Sequence, residues 1–325
     1  MDQLVSVIIT TYKRDNAMLN RAIDSVLNQT YRNFELIVVD DNEDTAISHT
    51  VKSLIEEKNK GEQDIKLVCY EGNRGAQHAR NAGLKAAKGE YIAYLDDDDE
   101  WLNEKLELQI NRFTQCSEDT GLVYCSAFGN NGIQINIRKA RHRGDIYNQL
   151  IYRNIIGSTS FPLIKKECFD SVGYFDEKLK AKEDYDMWLR ISKRYKVDFV
   201  DKPLVIYDYH LDMDRMSRRY GSLLEAELYF FEKHKEELLL FPDSYSHRLA
   251  VIGEYYYRLR DLENARKYFK MSIDAYRQNR QAHRLLWRSY IFRNGEKYYS
   301  LRTTIAKPVK KFLAHFKKPV NASNT

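Results

Sequence analysis

Apolar positions along the first part of the chain switch repeatedly between two spacings. Short runs at Val5–Thr10, Phe34–Val39, Ile65–Tyr70, Tyr91–Leu95 and Leu122–Ala127 are rich in β-branched and aromatic residues. They predict strands buried on both faces. Between them, apolar residues recur three and four apart. Leu19, Ile23, Val26 and Leu27 mark a helix over about 16–28, and Ile47, Val51, Leu54 and Ile55 mark a second. The segment 75–87 is rich in small residues, with Ala79, Ala82 and Ala86 able to pack closely on a sheet, and a further helix is expected over 102–113. Strands and helices alternating through short links predict an α/β fold: a mostly parallel sheet flanked by helices, with right-handed crossovers.

From about Ser217 the pattern is helical throughout. Three regions follow: an α/β region over 1–216, an all-α extension over 217–300, and a basic tail over 301–325. At 325 residues, the length suits about two domains.

Composition changes this picture little. With 43% hydrophobic and 30% charged residues, the chain reads as an ordinary water-soluble protein. No apolar run approaches the roughly 18 residues that span a bilayer. The four cysteines, Cys69, Cys116, Cys125 and Cys168, contain no C-x-x-C pair. That argues against a zinc ribbon or a disulfide framework and for a reducing compartment. The first strand begins almost at once, which leaves no room for a signal peptide, so a cytoplasmic location is expected.

Chemistry concentrates where strands end. Tyr91–Leu95 runs into four consecutive aspartates, Asp96 to Asp99. Thr10-Thr11-Tyr12 follows the first strand and Asp40-Asp41 the second. In an open parallel sheet these ends lie on one edge and can converge on one ligand. Carboxylates there suit a hard cation such as Mg²⁺ or Mn²⁺ bridging a diphosphate. A solvated acidic loop capping the next helix is the plain alternative. A Gly-x-Gly-x-x-Gly loop is missing after the first strand, which counts against a dinucleotide cofactor, and a Walker loop is missing as well.

Taken together, Val5-Ser-Val-Ile-Ile-Thr-Thr-Tyr-Lys-Arg14, Phe34-Glu-Leu-Ile-Val-Val-Asp-Asp-Asn42, Asn73-Arg-Gly-Ala-Gln-His-Ala-Arg-Asn-Ala-Gly83 and Gly89-Glu-Tyr-Ile-Ala-Tyr-Leu-Asp-Asp-Asp-Asp99 resemble the family 2 glycosyltransferases of bacterial cell-surface polysaccharide synthesis. The resemblance covers roughly residues 4–215. It implies a GT-A fold, a nucleotide-sugar donor, Mn²⁺ or Mg²⁺, and usually inversion at the anomeric carbon.

Carried over residue by residue, Tyr12 matches the aromatic that stacks on the nucleobase, with Thr10 beside it. Asp40 matches the carboxylate that accepts from a base N–H, an arrangement suited to uracil and hence to a UDP-sugar. Asn73 and Arg80 match the polar pair near the donor diphosphate and sugar. Asp96, Asp97 and Asp98 match the D-x-D signature. The run leaves the register open by one, and Asp98 is taken as the metal ligand because the family's Asp-x-Asp-Asp block then aligns without a gap. Glu183-Asp184 resembles the Glu-Asp pair whose Asp is the catalytic base, with Glu183 placing the acceptor. Both would also be at home in the first turn of a helix for electrostatic reasons alone. His210 falls where relatives carry a histidine that reaches the metal or diphosphate, although Asp208 stands where an arginine is usual.

In the last third, Gly253-Glu-Tyr-Tyr256, Ala265-Arg-Lys-Tyr-Phe269 and Ala275 resemble one tetratricopeptide repeat, which cannot bury its own apolar face and must pack on neighbours. The tail carries Arg302, Lys307, Lys310, Lys311, Lys317 and Lys318 with no acidic residue, interleaved with Phe312, Leu313 and Phe316. Such a segment can rest on an anionic membrane surface, where lipid-linked acceptors reside. No nucleic-acid module accompanies the charge. Whether the helices also form a homo-oligomer is left open by the pattern. Two other function classes stay in view: a nucleotidyltransferase on a similar sheet, and a non-catalytic helical scaffold.

Overall fold

The computed structural model describes residues 3–60, 64–130, 135–208 and 216–291, with the backbone alone at 208 and 216–219. His210 and the basic tail lie outside the described residues.

Four strands build the first half: β1 (Val5–Thr11), β2 (Phe34–Asp40), β3 (Ile65–Cys69) and β4 (Tyr91–Asp96). They are joined by α1 (Asn16–Leu27), α2 (Thr45–Lys58) and α3 (Ala76–Ala86). Asp15 and Asp44 accept backbone N–H bonds at the starts of α1 and α2, which fixes where those helices begin. The second half holds β5 (Glu100–Trp101), α4 (Lys105–Phe113), β6 (Thr120–Asn130), β7 (Ile135–Arg138), α5 (Tyr147–Tyr152), β8 (Leu163–Lys165), α6 (Lys166–Val172), α7 (Glu183–Ser192) and β9 (Lys196–Asp208). Five helices complete the described chain: α8 (Met216–Lys233), α9 (Lys235–Leu239), α10 (Pro242–Arg258), α11 (Leu262–Ala275) and α12 (Arg280–Ile291).

The sheet order is β3-β2-β1-β4-β8-β6-β9-β5, with β7 beside β6. Pairing is parallel from β3 through β4, as the alternating pattern predicts, and again between β6 and β9. The pairs β4·β8, β8·β6, β6·β7 and β9·β5 are antiparallel. The two-residue β5, too short to carry a period, had no signal in the sequence. Because β2 lies on one side of β1 and β4 on the other, the strand order reverses at the β1–β4 pair. In an open α/β sheet that reversal opens a crevice beyond the carboxyl strand ends.

Alternation along the strands divides the core into two layers. Val5, Val7, Ile9, Leu36 and Val38 face α1, α2 and α4. Ile8, Ile37, Val39, Ile92 and Tyr94 face α3, α7 and the C-terminal helices. A one-residue slip of β1 would exchange these sets. Since each fully buried aliphatic side chain contributes about 1.5–3 kcal/mol, the register is strongly held.

The second layer continues without a break into Leu224, Phe230, Phe231, Leu238, Leu249 and Ile252 of the helical region. There α10 and α11 meet closely: a Cβ on Gly253 would lie 2.7 Å from the Phe269 ring, so glycine is required at that crossing. Among the described residues no helix is long and apolar enough to cross a membrane.

Candidate active site

At the β1–β4 reversal the register sets Thr10 opposite Asp96 and Thr11 opposite Asp40. A cavity of about 450 Å³ opens there, lined by Thr10, Tyr12, Asn73, Arg80, Asp96, Asp97 and Asp98 among others. Seven of the residues singled out in the sequence therefore share one wall system.

The four aspartates do four different jobs, because they form a tight turn in which the Asp99 N–H donates to the Asp96 carbonyl at 3.0 Å. Asp96 accepts from three donors: Arg80 at 2.8 Å and Thr159 at 3.1 Å on Oδ1, and Ser158 at 3.2 Å on Oδ2. Asp97 is buried and accepts from Arg14 Nε at 2.8 Å. Burial pushes its carboxyl up to about 6, against the pull of Arg14. Asp98 sits at the tip, 32% exposed, with Arg14 Nη2 3.0 Å from Oδ2. Asp99 is fully buried and accepts from the Ser160 hydroxyl at 2.6 Å.

Tyr12 stands at the cavity rim, 41% exposed, its hydroxyl donating to Glu43 at 3.3 Å. Its ring is thus free of the core. Asp40 is 3% exposed and its Oδ1 accepts both from the Asn42 backbone and from the Asn42 amide. The carboxylate of this strand end that lines the cavity is Asp41. It gathers the loop before α3, accepting from Tyr70, Asn73 and the N–H groups of Arg74 and Gly75 at 2.8–3.0 Å. Asn73 is therefore held by Asp41 as well as lining the cavity. Gly75 adopts a left-handed φ of +93° at the start of α3, a turn open to glycine and strained for other residues. No side chain caps that helix end.

Arg80, matched in the sequence to the polar pair near the donor diphosphate, lines the cavity and there spans two carboxylates, Asp96 and Glu183. That ties β4 to the first turn of α7, where Asp184 lies. Asp184 accepts from the Asn154 amide at 3.3 Å and from the Tyr185 N–H at 2.6 Å. Burial, and then the neighbouring Glu183 charge, push its carboxyl up to about 7. A carboxyl in that range exchanges a proton readily near neutral pH, as a general base must. Trp188 of the same helix donates to the Gly157 carbonyl at 2.9 Å, locking α7 onto the Ser158–Ser160 loop.

Sequence reasoning gave Arg14 no role, took Asp41 only as part of the polar end of the second strand, and read 157–167 only as resembling the family's acceptor-side strand and loop. Arg14 did carry a signal, as a cation just past a strand whose neighbour ends in four acids. The partners of Ser158, Thr159 and Ser160 were not legible, since they lie about sixty positions away.

The glycosyl transferase family 2 profile matches residues 6–180, more than half of the chain. The chain belongs to glycosyl transferase family 2. It is a glycosyltransferase, which sets aside the nucleotidyltransferase and scaffold readings.

Among its relatives, the Escherichia coli UDP-Glc:alpha-D-GlcNAc-diphosphoundecaprenol beta-1,3-glucosyltransferase WfgD is 31% identical over 216 residues, 66% of this chain and 80% of that protein. An uncharacterized glycosyltransferase of Rickettsia typhi is 30% identical over 271 residues, 78% of this chain and 80% of that protein. The E. coli K12 protein WcaA, named a putative colanic acid biosynthesis glycosyl transferase, is 28% identical over 72% of this chain and 82% of its own length. Among solved structures, S. aureus TarS 1-349 with UDP-GlcNAc aligns with a TM-score of 0.57 at 18% identity, covering 92% of each chain. The mannosyltransferase PcManGT of Pyrobaculum calidifontis with GDP-Man and Mn2+ gives 0.53 at 19%, covering 89% of this chain and 86% of that one. These structural likenesses establish the GT-A fold of the glycosyltransferase.

Proposed function

We propose that this glycosyltransferase is metal-dependent and inverting, and that it moves a sugar from a UDP-sugar to a hydroxyl of a polysaccharide or glycolipid precursor. The observation that carries the reading is Asp184. It is a carboxyl tuned to about 7, joined through the Glu183–Arg80–Asp96 bridge to the wall of the strand-end cavity.

The donor lies in that cavity. Its base stacks on Tyr12, and the sequence match assigns Asp40 to accept from a base N–H through Oδ2, Oδ1 being held by Asn42, while its neighbour Asp41 is the carboxylate that lines the cavity. Its diphosphate faces the uncapped first turn of α3, where free N–H groups and the helix dipole favour negative charge. Thr10 and Asn73 line the approach.

For the metal, the oxygens of this turn fit. Asp98 is a hard donor at the turn's tip, whereas Asp99 is buried on Ser160 and Asp96 already accepts from Arg80, Thr159 and Ser158. Among the described residues no three ligating side chains converge. That would suit Mn²⁺ or Mg²⁺, which one or two carboxylates and substrate phosphates hold; Asp98 would be the carboxylate and His210, by the sequence match, a nitrogen ligand. Once bound, the ion supplies positive charge to the departing nucleoside diphosphate.

Asp184 takes the proton of the acceptor hydroxyl as that oxygen attacks the anomeric carbon from the face opposite the leaving group. A single base suffices for inversion. Glu183 holds its place through Arg80 and helps seat the acceptor. The UDP-Glc donor and diphosphoundecaprenol-linked acceptor in WfgD's name support UDP and a lipid-linked substrate. The basic segment 301–325 would bring the enzyme to the anionic inner face of the membrane.

The test is nucleoside diphosphate release from a panel of nucleotide sugars, with Mn²⁺ or with EDTA. One UDP-sugar is expected to turn over only with metal, and Asp98→Ala and Asp184→Asn are each expected to lose at least about a hundredfold. Undiminished release in EDTA, or by Asp184→Asn, overturns the assignment concerned.

A further inference from the structure

The helical region contributes a buried ionic assembly that reaches the catalytic helix, and its placement has a functional reading. Lys182, the residue just before α7, has a φ of +66°, a left-handed conformation that a lysine keeps only when its surroundings impose it. Its ammonium pairs with Glu227 of α8, whose carboxylate is fully buried. Burial alone would push Glu227 up, yet the charges of Arg248 and Lys182 hold it below its usual range.

Arg248 of α10, 3% exposed, reaches Glu227 at 3.3 Å, the Tyr152 carbonyl at 2.8 Å and the Tyr185 hydroxyl. The Tyr185 ring in turn stacks on Phe230 of α8, with centroids 4.8 Å apart at 18°. Lys182 and Tyr185 bracket Glu183 and Asp184. Every contact just named between that bracket and the helical region runs through Glu227, Arg248 or Phe230.

A buried ion network is a poor way to gain stability, because desolvation offsets most of the attraction and a well-packed apolar core serves as well. What such a network does supply is one geometry. We propose that Lys182, Glu227 and Arg248 are positioning residues: the C-terminal helices fix the left-handed turn at Lys182 and so aim the Glu183–Asp184 pair at the sugar site. This rests on Asp184 being the base.

The experiment uses the full chain and reads kcat, donor KM, UDP binding with Mn²⁺ by calorimetry, and Tm. Lys182→Met and Glu227→Gln are expected to lower kcat by about tenfold or more, as misplacement of a catalytic group does. Donor KM and UDP binding are expected to stay within about twofold, because the donor cavity is untouched. Lys182→Arg, which keeps the ion pair, is expected to restore most of kcat. Phe269→Ala serves as the stability control, since Phe269 is buried in a separate cluster with Ala265 and Leu285. It is expected to lower Tm while leaving kcat at permissive temperature unchanged.

The proposal alone is overturned if Asp184→Asn is inactive while Lys182→Met and Glu227→Gln keep full kcat. It is also overturned if Phe269→Ala loses kcat in the same proportion to its Tm. Full activity in Asp184→Asn overturns both the proposal and the base assignment beneath it.

Discussion

Asp184 carries two opposed consequences of one environment. Burial and the Glu183 charge raise its carboxyl to about 7, and the nearby Arg80 pulls the other way. A base works only when deprotonated, so kcat/KM is expected to climb with pH through about 7 and then level off. Replacing Arg80 with methionine removes the pull and moves that rise to higher pH, which a pH–rate profile of Arg80→Met would read. A profile identical to wild type would contradict the coupling. The sign for stability is the reverse. A carboxyl whose folded value lies above its unfolded one, about 3.9, loses stability as pH rises between the two. Asp184→Asn is therefore expected to be more stable than wild type above pH 7 in urea titrations, with the advantage shrinking toward pH 5. On the assignment proposed for Asp184, activity at this position costs stability.

At the scale of the element, α7 is the piece that must not move. Its first turn carries the Arg80 bridge, and its Trp188 is bonded to the Gly157 loop. Two residues beyond Asp184, Asp186 is fully buried and meets His234 at 2.9 Å, Lys233 at 2.8 Å and Arg190 at 2.9 Å. Burial raises the Asp186 carboxyl, but the His234 bond and the charges of Arg190 and Lys233 outweigh it and hold the group well below its usual range. Its contribution is present above the unfolded value of about 3.9 and fades as pH falls below that. Asp186→Asn is expected to cost about 3–5 kcal/mol at pH 7, because it leaves buried cations without their partner. Urea unfolding across pH should show the deficit closing in acid. A uniform deficit would mean a packing defect instead. The spacing of Tyr185, Trp188, Leu189 and Ile191 suits a helix here, and the family resemblance made its Glu-Asp pair legible as chemistry. The partners that hold it were not legible, since His234 and Arg248 sit in a region whose pattern says only "helix".

At the scale of the molecule, the sheet's second face and helices α8 to α10 share one apolar cluster. A chain ending at residue 215 would leave Tyr185, Trp188 and the rest of that face without Phe230, Leu249 and Ile252. The expected outcome is aggregation or loss of a cooperative transition for the truncated chain. The full chain should unfold in one step by circular dichroism and by tryptophan fluorescence alike. Two separated transitions in the full chain would show the helical region folding independently.

What the sequence determined by itself is what short-range periodicity and local chemistry can encode. Short β-branched runs and three-four spacing set the order β1-α1-β2-α2-β3-α3-β4, because each strand or helix must turn its apolar side to a common core. Strand ends rich in Thr, Asp and Asn set which edge carries chemistry, and the motifs of that edge carried the family. The tertiary structure decided the rest. It placed Asp96, Asp97, Asp98 and Asp99 in different surroundings by closing a turn, and it aimed Arg80 at carboxylates. It also bound the helical region to α7. Those outcomes depend on pairings such as Arg80 with Glu183, 103 positions apart, and Arg248 with Tyr185, 63 apart. A side chain's charge and reach are written locally, whereas its partner is chosen only when the whole chain has packed.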